Sequence, residues 1–307
     1  TYIDIIEISG VAFATSGSAP SFTAGADHHI GGNAGETFSA LGGDDVLYGL
    51  GGDDTLIGGT GADQLFGGNG SDILYTEGSD TLVSGGFGYD YLIVANSVAG
   101  GTWAASDIEE WYGNAGNETF DATGAVDRVI MIANEGNDTL SGGAGNDVLE
   151  GGSGSDRYIY GQGYGTDTIL DSSGSETVFF EGIASTDVSF SRTPLDLIIT
   201  VNATGEQLIL ESQYVRSGVQ NFAVEYWAFS DTTLDFRNFN PDNMDLVGTN
   251  ADETITGSNF GELLDGRGGD DTLIGGDGGD RYKFDVGYGQ DIIVDQRIRA
   301  HWRDRRG

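Results

Sequence analysis

Four aspartates, Asp45, Asp54, Asp63 and Asp72, stand nine residues apart, and each is followed two positions later by a leucine: Leu47, Leu56, Leu65 and Leu74. Gly43, Gly52, Gly61 and Gly70 precede them by two. The repeats read "ALGGDDVLY", "GLGGDDTLI", "GGTGADQLF" and "GGNGSDILY". A unit this short cannot bury its one large apolar side chain alone, so units have to stack. Paired glycines permit positive φ and tight turning. The x-Leu-x part reads as a short strand with the leucine inward and its neighbours outward. Two repeats then close one coil, which places residues eighteen apart in vertical register: Asp45 above Asp63, and Asp54 above Asp72.

The pattern recurs along the chain. "GGNAGETFS" leads the first array with Glu36 in the aspartate slot, "TEGSDTLV" is one residue short at Asp80, and "GGFGYDYLI" restores the phase at Asp90. A second array opens with "GNAGNETFD" and "ATGAVDRVI". It becomes regular at Asp138, Asp147 and Asp156. A third carries Glu253, Glu262, Asp271 and Asp280. "DRYIYGQGYGTDTILD" (156–171) matches "DRYKFDVGYGQDIIVD" (280–295) without a gap, an internal duplication that ends each array with a longer loop, at Asp167 and Asp291.

The resulting division is a lead-in over 1–30, a first array over 31–93, a connector over 94–112 and a second array with its loop over 113–171. An antiparallel β segment (172–240), a third array (241–295) and a basic tail (296–307) follow. The fold class is all-β, a right-handed parallel β-roll in two or three blocks. Between the second and third arrays, 172–240 shows alternating apolar runs bounded by turn residues. It is expected to form its own sheet, with no ions inside it.

Charge limits the function. The 307 residues hold 49 acidic and 13 basic side chains, for a net charge of −36. Such a chain repels itself unless cations neutralise it, and nothing in it offsets phosphate repulsion, which excludes nucleic acid. Stacked carboxylates beside bare turn carbonyls are costly without a cation between them. A hard dication that takes six or more oxygens fits, which is Ca²⁺. Zn²⁺ would want His or Cys, and the chain has no Cys and three His. The absence of Cys also excludes disulfides and suits folding outside the cell without oxidases. No apolar run approaches membrane-spanning length, so the chain reads as not transmembrane. Its start, "TYIDIIEISG", has neither the form of a secretory signal peptide nor an initiating Met, and reads as that of a fragment.

G-G-x-G-x-D-x-U-x resembles the signature of the RTX (repeats-in-toxin) calcium-binding family. The resemblance spans the three arrays. It implies Ca²⁺ bound between successive coils and export from a Gram-negative bacterium by type I secretion machinery, without an N-terminal signal. It also implies ligands. One ion takes carbonyls of Leu41 and Gly43 with Asp45, and of Gly58 and Thr60 with Asp63. A second takes Leu50, Gly52 and Asp54 with Gly67, Asn69 and Asp72, and Asp90 extends the row. In the second array, Asn134, Gly136 and Asp138 face Gly151, Ser153 and Asp156, while Gly143, Gly145 and Asp147 face the loop carrying Asp167. In the third, Glu262 pairs with Asp280, and Asp271 with Asp291. Glu36, Glu118, Glu253 and Glu262 depart from the family's aspartate with a longer arm that displaces the carboxylate, and Asp80 stands at the phase break.

Other motifs carry less. "DHH" (27–29) reads as a solvated loop. The aromatics Trp103, Trp111, Tyr112, Tyr158, Tyr160 and Tyr164 read as core filling or roll caps rather than sugar platforms. No G-x-S-x-G elbow, P-loop or H-E-x-x-H occurs, so no enzyme is expected in this chain. The function expected is a calcium-folded region of a secreted protein. The alternatives are a surface adhesin or spacer, and an accessory module of a glycan-acting enzyme, for which the partner is extracellular polysaccharide or a cell surface.

Overall fold

The computed structural model describes residues 13–14, 22–80, 82–95, 101–105, 107–171, 173–193, 196–211, 224–235, 245–257, 263–276 and 280–295. The lead-in outside 13–14 and 22–30, Glu262, and the basic tail lie outside the described residues.

The nonapeptide folds as its spacing requires. Successive repeats alternate between two facing sheets. One carries His28–Ile30, Val46–Gly51, Gln64–Asn69 and Leu82–Phe87, and the other carries Thr37–Ser39, Thr55–Ile57, Ile73–Thr76 and Tyr91–Val94. All these pairings are parallel. The register joins His29, Leu47, Leu65 and Val83 on one face, and Phe38, Leu56, Leu74 and Leu92 on the other. The middle residue of each strand points inward, and Leu47, Leu56, Leu65 and Leu74 are fully buried. The core is one side chain wide from each face. Each buried leucine contributes roughly 1.5–3 kcal/mol, an upper figure because the unfolded chain is itself partly collapsed. "DHH" departs from expectation. His29 takes the inward position of its strand and packs 4.1 Å from Phe38, because the stacking register extends one coil before the first recognisable repeat.

The described residues of the expected connector, 94–95, 101–105 and 107–112, belong to the same roll. Glu110–Tyr112 pairs with Tyr91–Val94 on one side and Ile130–Ile132 on the other, within an eleven-stranded sheet that runs from Thr37–Ser39 to Val188–Arg192. On the opposite face the ladder stops at Leu82–Phe87, and a seven-stranded sheet begins at Thr102–Ala104. Larger side chains fill the core where the two arrays join: Trp103, Trp111, Phe120 and Met131 are buried there. Trp111 and Trp103 pack 5.3 and 5.8 Å from Phe120. Their indole N–H groups reach the Ile108 carbonyl at 2.9 Å and the Thr76 hydroxyl at 2.7 Å, so neither is stranded in the core.

The segment after Asp171 does not form its own sheet. Antiparallel pairing is present, between Val188–Arg192 and Leu197–Val201 and between Tyr226–Ala228 and Thr233–Asp235. These strands extend the roll, however. Gln207–Leu210 adds parallel to Asp167–Leu170, and Thr177–Glu181 adds parallel to Arg157–Gly161. The reason is physical. A roll ends in two open ladder edges and an uncovered core, and amphipathic strands satisfy both at once. Ile169, Tyr158, Val178, Leu208 and Trp227 accordingly belong to one continuous core with Leu47. The third array makes a smaller roll from two three-stranded parallel sheets around Leu246, Leu264 and Leu273. The described residues contain no α-helix.

Because the core runs unbroken from the second array into 173–235, the two should unfold together. Limited proteolysis in chelator, read by mass spectrometry, is expected to cut 177–210 at the same rate as 133–171. Survival of a stable fragment over 177–235 would show an independent domain.

Candidate metal centre

Most turns of the regular repeats are built from two residues at positive φ, four and two positions before the aspartate; before Asp147 only the first, Gly143, is so. The second is glycine throughout the regular repeats, as at Gly61 (φ 146°). A Cβ there would strike the Gly43 carbonyl of the coil below, so the turns stack in backbone contact. The first position tolerates larger residues: Leu41, Leu50, Asn134 and Arg267 hold φ of 73°, 74°, 77° and 63°. Carbonyl oxygens of successive turns therefore lie one above another along the roll.

The aspartates run beside them. The backbone N–H of each donates to Oδ1 of the aspartate one coil on: Asp45 to Asp63 at 2.8 Å, Asp54 to Asp72 at 2.8 Å and Asp72 to Asp90 at 2.8 Å. The second array repeats this, Asp138 to Asp156 at 2.8 Å and Asp147 to Asp167 at 3.0 Å. In the third, Asp271 donates to Asp291 at 3.1 Å. Oδ1 is thus engaged. Oδ2 of Asp45, Asp54, Asp72, Asp90, Asp138, Asp147, Asp156, Asp167 and Asp271 is buried without a hydrogen bond.

These oxygens face prepared space. A Cβ on Gly49 would strike both Asp54 Oδ2 and the Gly67 carbonyl. On Gly67 it would strike Asp72 Oδ2 and come within 2.6 Å of the Gly85 carbonyl. Gly58 against Asp63, Gly142 against Asp147, Gly151 against Asp156, Gly266 against Asp271 and Gly275 against Asp280 repeat the carboxylate contact. A carboxylate oxygen of one coil and a carbonyl oxygen of the next converge above a residue with no side chain. That cradle suits a cation coordinated only by oxygen. The structure brings the expected pair Asp54 and Gly67 together. The carbonyls of Leu41, Thr60, Asn69 and Asn134 also accept turn-to-turn hydrogen bonds, from Thr60, Gly43, Gly52 and Ser153. A carbonyl oxygen has a second lone pair, so such a bond leaves room for a metal.

Burial raises these carboxyls, and at Asp54, Asp63, Asp90, Asp138 and Asp167 neighbouring carboxylates raise them further. Asp54, Asp63 and Asp147 are pushed up to about 6, Asp90 to about 7, and Asp138 and Asp167 to about 8. Asp45, Asp72 and Asp156 shift in the same direction for the same leading reason. For Asp138 the neighbouring charges are Glu118 and Asp156; for Asp167, Asp147 and Glu206.

The irregular positions divide. At the phase break, Asp80 Oδ1 accepts from the Asp63 N–H at 3.1 Å, but its Oδ2 is occupied by the Thr76 hydroxyl and the Glu77 N–H. Glu253 accepts from the Thr249 N–H at 2.6 Å and its hydroxyl at 2.7 Å, and Glu36 from the Gly32 N–H at 3.2 Å. These turns close on their own hydrogen bonds. Glu118 behaves otherwise: it is buried, and both its carboxylate oxygens lack a hydrogen bond. "ATGAVDRVI" is out of phase. Asp127 is exposed, Val129 takes the stacked slot by donating to Asp147 Oδ1 at 2.8 Å, and the strand falls at Ile130–Ile132. The spacing of twenty between Glu118 and Asp138 carries that signal. Glu109 was missed: its Oε2 accepts from the Asp90 N–H at 2.7 Å and continues the first row across the join. Nothing in its sequence context marks it. Asp280, at the end of the third array, is half-buried.

A parallel β-roll whose turns hold rows of buried carboxylates and stacked carbonyls defines a cation-binding solenoid. The family model of the RTX calcium-binding nonapeptide repeat matches the chain four times, over 30–65, 57–92, 132–167 and 247–282, and the chain is an RTX repeat protein. Repeats of this family bind multiple Ca²⁺ ions. No curated protein matches the chain. The matches stop where the nonapeptide becomes irregular, while the sheet runs on through Glu110–Tyr112.

Two outcomes follow from this geometry. Asp147→Ala removes a buried oxygen from the most regular row, whereas Glu36→Ala removes one already held by its own turn. Calorimetric calcium titration should show clearly weakened binding in the first and near wild-type binding in the second. Equal losses would mean that the register is wrong.

The second outcome concerns pH. The folded-state pKa values of about 6 to 8 lie above the unfolded value of about 3.9. In chelator this stabilising contribution is complete below about pH 4 and is lost as pH rises through 6 to 8. Far-UV circular dichroism in chelator should therefore gain β-signal as pH falls from about 8 to about 5. Calcium affinity should move the opposite way and weaken with acid, because protons compete for the same oxygens.

Proposed function

We propose that this chain is the calcium-responsive folding region of a secreted protein: it stays unfolded at low calcium and folds outside the cell when Ca²⁺ fills the rows. One observation carries the reading, the buried Oδ2 atoms without hydrogen bonds at Asp45, Asp54, Asp72, Asp90, Asp138, Asp147, Asp156 and Asp167. In water those carboxylates are solvated; in the ion-free roll they are not. Site formation and folding are then one equilibrium.

Extracellular calcium modules work at about 10⁻⁴–10⁻³ M, above the free calcium of a bacterial cytosol. Export as an unfolded chain by a type I system accords with this, and RTX repeats typify secreted bacterial proteins. No helix among the described residues is long and apolar enough to cross a membrane. The chain's role in this reading is non-catalytic: the folded roll stabilises or displays whatever it is joined to.

Far-UV circular dichroism tests it directly. The chain should give a coil spectrum in EDTA at neutral pH and a β-spectrum at about millimolar calcium. Magnesium at the same concentration should leave it unfolded, because Mg²⁺ keeps its waters and demands a stiff octahedron. Identical spectra in EDTA and calcium would remove the basis for the proposal.

A further inference from the structure

The carboxylate row of the second array continues past Asp156, into a segment without the nonapeptide. Asp156 Oδ1 is turned back to the Asp138 N–H at 2.8 Å, and its Oδ2 has no hydrogen bond. Twenty residues on, Glu176 is completely buried, and neither of its carboxylate oxygens has a hydrogen bond. A third carboxylate enters from Asp171. It occupies the turn position five residues before Glu176, where the regular repeats have glycine or, at Ala40 and Ala133, alanine.

The tyrosine of the terminating loop positions that side chain. The Tyr158 hydroxyl donates to Asp171 Oδ2 and accepts from the Gly151 N–H at 2.9 Å. One oxygen each from Asp156, Asp171 and Glu176 then lie within 4.8 Å of one another. That is the span of two Ca–O bonds of about 2.4 Å. A neutral oxygen is also at hand, because a Cβ on Gly174 would strike both the Gly154 carbonyl and Glu176 Oε1. From the cap side, Glu225 Oε2 accepts the Glu176 N–H at 2.9 Å and adds a fourth carboxylate nearby.

We propose that Asp156, Asp171 and Glu176 form a further Ca²⁺ site, outside the nonapeptide pattern, that fastens the cap to the end of the second roll. Three converging carboxylates need a dication, and an oxygen-only set favours Ca²⁺ over transition metals. Glu176 immediately precedes the strand Thr177–Glu181, and the backbone of Glu176 holds Glu225, beside Tyr226–Ala228. An ion here ties both strands to the turn that carries Asp156. The duplicated end of the third array repeats Asp280, Tyr282 and Asp295, yet five residues after Asp295 stands Ala300, where five after Asp171 stands Glu176. The third array thus lacks the glutamate.

Ion counting on the full chain tests the site. Calcium alone is the probe, and bound ions are counted by native mass spectrometry at saturating calcium. Glu176→Gln and Asp171→Asn keep the shape and remove the charge. Each should bind one ion fewer than the wild type, with an unchanged far-UV spectrum in calcium. The double variant should also lose one ion, not two. A full complement of ions in either single variant, or two ions lost in the double, overturns the site. A wild-type chain that takes up no calcium would instead overturn the reading of the arrays.

Discussion

The bond on which this structure depends joins a backbone N–H to a carboxylate one coil away. From Asp27 to Asp90 and from Glu118 to Asp167, an amide of one turn donates to the aspartate of the next. It turns Oδ1 along the roll axis and leaves Oδ2 aimed at the space above a glycine. The same contact that sets the stacking register thereby leaves a buried carboxylate oxygen without a hydrogen bond at most steps, Asp54, Asp72, Asp138 and Asp147 among them. The fold is stabilised by a ladder and opposed by its own charges, and calcium removes the opposition.

The regular repeats were readable because the period is locked to two demands at once. Leu56 has to meet Leu74 in the core, and Asp54 has to meet Asp72 in the turn; a register of eighteen satisfies both. Where one demand lapses, sequence reasoning fails. Val129 stands in an aspartate slot while the strand shifts to Ile130–Ile132, so a pattern search keyed on Asp127 selects an exposed residue. Glu109 enters the row from a coil that looks like a connector. His29 fills an inward position that its neighbours in sequence do not advertise. The strands after Asp171 show an ordinary alternation, and such alternation does not say whether a strand pairs with its own kind or with an open edge.

Side-chain size changes where the first two arrays join. In the regular first array leucine fills the interior; across the join, where the coils run from seventeen residues (Trp103 to Phe120) to twenty (Trp111 to Met131), Trp103, Trp111, Phe120 and Met131 take its place. The indole N–H groups find Thr76 and Ile108, so the substitution adds bulk without an unsatisfied donor.

The core is a single file, and each coil touches only the coil before it and the coil after it. Such an array behaves as a one-dimensional chain of coupled units, in which the interfaces rather than the units hold most of the free energy. A lone coil, with one apolar side chain from each face, has no stability to speak of. The number of contiguous coils therefore sets how sharply the molecule orders. Joining the first two arrays through Trp111 makes one long row from two short ones, and makes its ordering transition steeper than either array would show alone.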